Sequence, residues 1–219
     1  MRYADRQAAG TALGHRLRAA ALPPADTVVL GLPRGGVLVA AGVAQALAAP
    51  LDVLVVRKLG LPWQPELAMG AIAAVGDAVE TVRVESVLAA ASVDPETFEA
   101  VRERELAELR RREAAYRGGR PPVALTGRAV VVVDDGLATG ATMRAAVVAV
   151  RRQAPSAVLA AVPVGSLSAC SALADDVDEL VCLSAPPGFR AVGQAYADFS
   201  ETSDAEVRAA LDEAGATPS

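Results

Sequence analysis

The chain has 219 residues, 53% of them hydrophobic, with 26 acidic and 21 basic side chains and a formal net charge of −5. That length suffices for one domain with a full core, with or without a small appendage, and the acidic balance weighs against a general nucleic-acid binder. No apolar run is long and uncharged enough to span a bilayer, and the N-terminus lacks the apolar core of a signal peptide.

Cys170 and Cys182 lie in apolar surroundings without metal-ligand spacing, which reads as a pair of reduced core thiols in a cytoplasmic protein. The single histidine, His15, falls inside a predicted helix, so neither histidine catalysis nor a histidine-rich metal site is expected.

Residues 4–22 carry Ala9, Leu13, Leu17 and Ala20 at helical spacing and predict an amphipathic helix stopped by Pro23 and Pro24. Thr27-Val28-Val29-Leu30 is the first core strand. It runs into Gly31-Leu32-Pro33-Arg34-Gly35-Gly36, and a helix follows over residues 37–48. The glycine spacing matches neither the dinucleotide fingerprint nor the ATP-type phosphate loop. Two readings remain: a tight turn with a surface arginine, or a loop in which Arg34 offers a forked cation to phosphate oxygens.

Residues 51–56 are the next buried strand, ending in Arg57-Lys58, and residues 59–65, with two prolines and Trp63, read as a loop. Lys58 is the one lysine among the 21 basic residues. A compact ammonium in a chain that otherwise uses arginine points to a geometry a guanidinium would not fit, against the alternative of a solvated charge pair. Trp63 is expected to pack rather than to stack on a ligand. Residues 68–75 and 79–84 predict a hairpin outside the main sheet, turning at Gly76-Asp77. Asp94 and Pro95 then open a long helix that ends before Gly118-Gly119. Glutamates interleave with Arg110, Arg111 and Arg112, which makes this an ion-paired helix face rather than a basic patch.

The most informative stretch is Val130-Val131-Val132-Val133-Asp134-Asp135-Gly136-Leu137-Ala138-Thr139-Gly140-Ala141-Thr142. Four valines in a row predict a strand buried on both faces. Two carboxylates stand at its end, and a helix over residues 143–153 follows, with Thr142 as its predicted cap. Free N–H groups from Thr139 to Thr142 and the positive helix end can hold a phosphate, while Gly140 allows close backbone approach. Asp134 and Asp135, acceptors when ionised, suit two vicinal hydroxyls and, through them, a hard cation. The alternative is an ordinary strand-to-helix turn with two solvated aspartates.

Strands over 157–163 and 179–184 flank a helix over 166–174, and Gly165-Ser166-Leu167-Ser168 lacks the second glycine of a nucleophile elbow. The tail over 186–199 is irregular and holds Phe189 and Phe199; Ser203-Asp204-Ala205-Glu206 is a capping box opening a last helix. Five core strands with intervening helices predict an α/β fold, a doubly wound five-stranded parallel sheet, in a single domain over residues 1–219. A ligand belongs outside the strands' C-terminal ends, where the Gly31, Arg57 and Asp134 loops can meet.

The stretch from Val130 to Thr142 resembles the phosphoribosyl pyrophosphate (PRPP) motif of type I phosphoribosyltransferases. The resemblance covers about a dozen residues at the motif, and more loosely about two-thirds of the chain. It implies strand order 3-2-1-4-5 and a small hood, expected here from residues 68–84 and 186–199. It further implies Mg2+-dependent transfer of the phosphoribosyl group from PRPP to a nitrogenous base, with release of pyrophosphate. In that scheme Ala138, Thr139, Gly140, Ala141 and Thr142 hold the 5-phosphate, and Asp134 and Asp135 hold the ribose hydroxyls. Arg34, Gly35, Arg57 and Lys58 face the pyrophosphate, Lys58 joining the two aspartates as a catalytic group. Mg2+ is held through PRPP near Asp134 and Asp135 rather than by direct protein ligands. Ala138 stands where enzymes for 6-oxopurines carry an acidic residue, which disfavours hypoxanthine and guanine and leaves the acceptor open. Phe189 is either a core residue or a stacking platform for a base. PRPP and a nucleobase-like molecule are the expected partners, with no nucleic acid or membrane, and a homodimer is compatible. The alternative is a non-catalytic PRPP- or nucleotide-binding regulatory protein.

Overall fold

The computed structural model describes residues 2–19, 26–75 and 78–216. Along the chain run α1 (Arg6–Arg18), β1 (Thr27–Gly31), α2 (Gly35–Leu47), β2 (Leu51–Val53), β3 (Val55–Leu61), β4 (Gln64–Val75) and β5 (Ala78–Arg83). Then follow α3 (Glu85–Ala90), α4 (Pro95–Arg117), β6 (Ala129–Val133), α5 (Ala141–Arg151), β7 (Ala157–Val162), α6 (Leu167–Ala174), β8 (Glu179–Cys182) and α7 (Asp204–Ala216). The predicted stop at Pro23-Pro24 and the turn at Gly76-Asp77 lie outside the described residues.

Strands β2-β1-β6-β7-β8, in that spatial order, make a five-stranded parallel sheet covered on both faces. The valine run shows why both faces must be covered. Val130 and Val132 pack with Met143, Ala146 and Val147 of α5 and Leu173 of α6. Val131 and Val133 pack with Leu13 and Leu17 of α1 and with Val39, Val43 and Leu47 of α2. Successive side chains point to opposite faces, so a strand with two apolar sets needs helices on each side.

Counted in chain order, the five core strands lie as 2-1-3-4-5, not as the 3-2-1-4-5 order that the resemblance implied. After β2 the chain leaves the parallel sheet, and the next core strand, β6, returns on the other side of β1. The excursion forms a second sheet, antiparallel, in the order β3-β4-β5. It corrects the expected loop over residues 59–65. Leu59 and Leu61 alternate into a core with Phe98, Val101 and Leu109 of α4, so β3 continues to Leu61 and turns at Pro62-Trp63. Trp63 sits on that tip, 62% exposed, and does not pack as expected. The tail over 186–199 lies apart from this sheet, against Tyr3 and Ala9 by way of Ala195, Tyr196, Phe189 and Val192.

Several local signals read as written. Asp94 caps α4 by accepting from Thr97 N at 2.8 Å, Gly118 ends it in the left-handed region at φ 58°, and Ser203 and Glu206 close the capping box before α7. No sequence signal marked α3. Helix α1 opens at Asp5, whose carboxylate accepts from Ala8 N at 2.8 Å.

Helix α1 is pressed against α2 through glycines. A Cβ on Gly10 would overlap the Val39 carbonyl, and one on Gly42 would stand 2.8 Å from the Gly10 carbonyl carbon. Such a crossing fixes the height of α1, and with it the residues at its first turn. In an open helix Gly→Ala gains about 1 kcal/mol of propensity. Here Gly42→Ala is expected instead to lose about 1–3 kcal/mol, because backbone must move to admit the methyl. Urea denaturation of the variant checks the sign.

Candidate functional site

From β1 the crossover α2 leads toward β2, while from β6 the crossover α5 leads toward β7. The loops after β1 and β6 diverge and leave a crevice over their C-terminal ends, the usual ligand position in a doubly wound sheet. Leu32 N donates to Val133 O at 2.9 Å, joining the two loops at their roots. The start of α2 then lies directly on the acid pair. A Cβ on Gly35 would overlap Asp135 Oδ2, and one on Gly36 would fall 2.8 Å from Asp134 Oδ1. Glycine at both positions is a condition for this contact.

Each carboxylate gives one oxygen to the protein. Asp134 Oδ1 accepts from Asp135 N at 2.8 Å, and Asp135 Oδ2 accepts from Arg6 Nε at 2.9 Å. Burial, then the neighbouring Asp135 charge, pushes the Asp134 carboxyl well above its ordinary value near 3.8. Burial also raises Asp135, and Arg6 pulls it back. Tyr196 donates its hydroxyl to Asp135 O at 2.6 Å, and burial beside Asp135 raises its pKa, so it stays a neutral donor.

The loop after the acids ends in Gly140, the N-cap of α5, in the left-handed region at φ 77°. No side chain caps the helix in the usual way, and Thr142, the expected cap, sits in the first turn. Thr139 Oγ1 is 3.5 Å from Ala141 N, a long contact. The first-turn N–H groups of α5 therefore lie open beside the exposed hydroxyl residues Thr139 and Thr142. The loop is braced by the segment between β7 and α6: Leu137 N donates to Val164 O at 2.9 Å, and Ser166 Oγ to Ala138 O at 2.9 Å.

The basic residues are distributed less simply. Arg34, preceded by a cis Pro33–Arg34 peptide, pairs with Glu201 of the tail. Arg57 and Lys58 are consecutive in a strand and so face opposite ways. Arg57 lies opposite Ile72 on the α4 face and donates from Nε to Glu105 at 2.9 Å. Lys58 shares its face with Val56 and Ala73, which pack toward α5 and the main sheet. Its ammonium, 45% exposed, reaches Glu66 O at 3.3 Å. Of the two, Lys58 is on the face of the second sheet that packs toward α5.

Arg6 and Glu201 are the site neighbours that sequence reasoning missed, while Tyr196 and Phe199 lie in the segment over 186–199 expected for the hood, with no individual role assigned to them. Arg6 did carry a signal. It occupies the first turn of α1, where the helix dipole favours an acidic side chain. Beside the crevice, Val164, Pro186, Pro187, Gly188, Phe189, Gln194 and Ala195 line a cleft of about 220 Å3. Among the described residues, no three His, Cys, Asp or Glu side chains gather as a metal cage, and no helix is long and apolar enough to cross a membrane.

Comparison with known proteins bears on the family and the fold. The family model described as the phosphoribosyl transferase domain matches residues 7–197. The chain belongs to that family. Phosphoribosyl transferase proteins of Mycobacterium tuberculosis, so named provisionally, are 50% identical over 212 residues. The match takes in 97% of this chain and 47% of theirs, so the chain spans about half the length of these curated relatives. The crystal structure of the protein TT1426 from Thermus thermophilus is 45% identical, with a TM-score of 0.86, over 97% of this chain and 99% of that one. Fold and family therefore rest on both sequence and shape.

In this phosphoribosyl transferase domain the acid pair has a measurable consequence. A carboxyl whose folded pKa lies above its unfolded value binds its proton more tightly when folded. Its contribution to stability is present below the unfolded value and lost as pH rises through the folded one. Asp134→Asn keeps an oxygen to accept from Asp135 N and removes the buried charge. The variant is expected to be more stable than the wild type at neutral pH, with the gain shrinking toward pH 4. Urea midpoints across that range check the expectation.

Proposed function

We propose that the crevice binds PRPP with Mg2+ and transfers its phosphoribosyl group to a nitrogenous base, releasing pyrophosphate. The observation carrying this reading is the convergence of three features: the acid pair, the glycine-lined start of α2 on top of it, and the open first turn of α5. The open N–H groups and the hydroxyls of Thr139 and Thr142 suit a 5-phosphate, with Ala138, Gly140 and Ala141 supplying close backbone. Asp134 and Asp135 each retain one oxygen for a vicinal ribose hydroxyl. Their negative charge favours an oxocarbenium-like ring as the C1–O bond to pyrophosphate breaks and the bond from the acceptor nitrogen forms.

Arg34 and Gly35 on one side, and Lys58 on the other, suit the departing pyrophosphate, whose oxygen takes the bonding electrons. Arg57, on the opposite face of β3 and bound to Glu105, does not join Lys58 on that side as expected. The donor set fits a hard cation carried on the diphosphate and ribose oxygens near Asp134 and Asp135, where it would neutralise charge on the leaving group. The cleft beside Phe189 suits a planar acceptor, and Ala138 offers no carboxylate to a purine ring nitrogen.

One observation favours the second reading, a PRPP- or nucleotide-binding regulatory protein. Asp135 and Arg34, both assigned to substrate, are already paired, with Arg6 and Glu201. Incubation with Mg2+, PRPP and a panel of bases separates the two, because pyrophosphate release requires an enzyme. For the phosphate loop, the Thr139→Val and Thr142→Val double variant keeps shape and removes two hydroxyls. It is expected to weaken PRPP binding by about 1.5–3 kcal/mol per lost contact. Calorimetry showing unchanged affinity sinks the assignment of this loop.

A further inference from the structure

Arg6 lies 11% exposed between two loops assigned to substrate and the tail. Its Nε donates to Asp135 Oδ2 at 2.9 Å, and its Nη1 to Ser200 O at 2.8 Å. The guanidinium carbon stands 4.1 Å from the centre of the Phe199 ring and 5.9 Å from that of Tyr196. On its remaining flank is Gly35, where an added Cβ would fall 2.5 Å from Arg6 Nε. The α1–α2 crossing at Gly10 and Gly42 holds the backbone beneath it.

Stability gives little reason for such a group. A buried ion pair contributes little net stability compared with apolar residues of the same volume. The first turn of a helix also disfavours a cation. What the arrangement does achieve is geometric. The planar fork bridges Asp135 and Ser200 O at once, which a lysine ammonium could not reproduce. It fixes Asp135 Oδ2 beside the start of α2.

We infer that Arg6 is a positioning residue of the substrate site, orienting Asp135 toward the ribose and placing a fixed cation between the acid pair and the α2 loop. The inference rests on the PRPP reading above. It adds a site member supplied by α1, which none of the other assigned groups comes from.

The test is calorimetric titration of the full chain with PRPP in the presence of Mg2+, which needs no knowledge of the acceptor. Arg6→Met is expected to weaken binding about tenfold or more, the scale of a lost hydrogen bond to a charged group. Arg6→Lys should fall between Arg6→Met and wild type. In an Asp135→Asn background, Arg6→Met should have little further effect, because its action runs through that carboxylate. Wild-type affinity in Arg6→Met, or an equal loss in both backgrounds, overturns the inference. If Arg6→Met does not fold, Arg6→Lys decides, and unchanged affinity there overturns it as well. Failure of the wild type itself to bind PRPP is a separate result, which removes the PRPP reading and this inference together.

Discussion

A strand with apolar side chains on both faces has nowhere to put a polar residue except at its ends, and β6 is such a strand. Val130 to Val133 are covered by α5 and α6 on one side and by α1 and α2 on the other. The first residues able to carry charge are Asp134 and Asp135, delivered together to the rim where the β1 and β6 loops part. Coverage of both faces also decides what surrounds the acids. The helix that follows β6 starts at Ala141, after the short loop that carries the acids, and so brings its open first turn alongside. The helix that follows β1 starts sooner, at Gly35, directly on the acids, which is possible because Gly35 and Gly36 carry no Cβ.

What the sequence made legible follows from that logic. Two-faced strands, helix caps at Asp94 and Ser203, and the acid–Gly–Thr loop are local patterns, and each appears where the pattern put it. Pairing partners were not local. Four of the five core strands read correctly, while the expected strand over 51–56 breaks at Leu54 into β2 of the parallel sheet and the start of β3 of the antiparallel one. Strand order depends on where the chain re-enters after β2, and no periodicity encodes that return. Residues 59–65 read as a loop because of Pro62, Trp63 and Pro65. Their strand character comes from α4, whose Phe98 and Leu109 receive Leu59 and Leu61 from more than thirty residues away. Arg57 and Lys58 looked like one basic pair for the same reason. In a loop they could turn together, whereas in a strand they must part.

The candidate site was half legible. The acids and the Thr139–Thr142 loop belong to one contiguous stretch, so their juxtaposition was legible from spacing. Arg6, Tyr196 and Glu201 reach the crevice from the two ends of the chain, 129 residues before Asp135 in the case of Arg6. Only tertiary packing brings them there, through the Tyr3–Tyr196 contact, with ring centres 5.8 Å apart, and the glycine crossing of α1 on α2. The misplaced cation at the start of α1 was a visible anomaly, but nothing in the sequence said which anion it answered.

These placements set stability against site chemistry in a consistent direction. Two adjacent carboxyls raised by burial disfavour the folded state at neutral pH, and a buried guanidinium against one of them offsets this only in part. A fold selected for stability alone would replace the three groups by apolar side chains, which the neighbouring cores show this chain can pack. Retaining them is the pattern expected of a preorganised site, in which charges are held in place before the ligand arrives and the surrounding core bears the strain. The rigidity of α1 then matters as much as the charge of Arg6. A cation on a loose helix could follow Asp135 wherever it moved, whereas one fixed by a backbone-to-backbone crossing makes the carboxylate come to it.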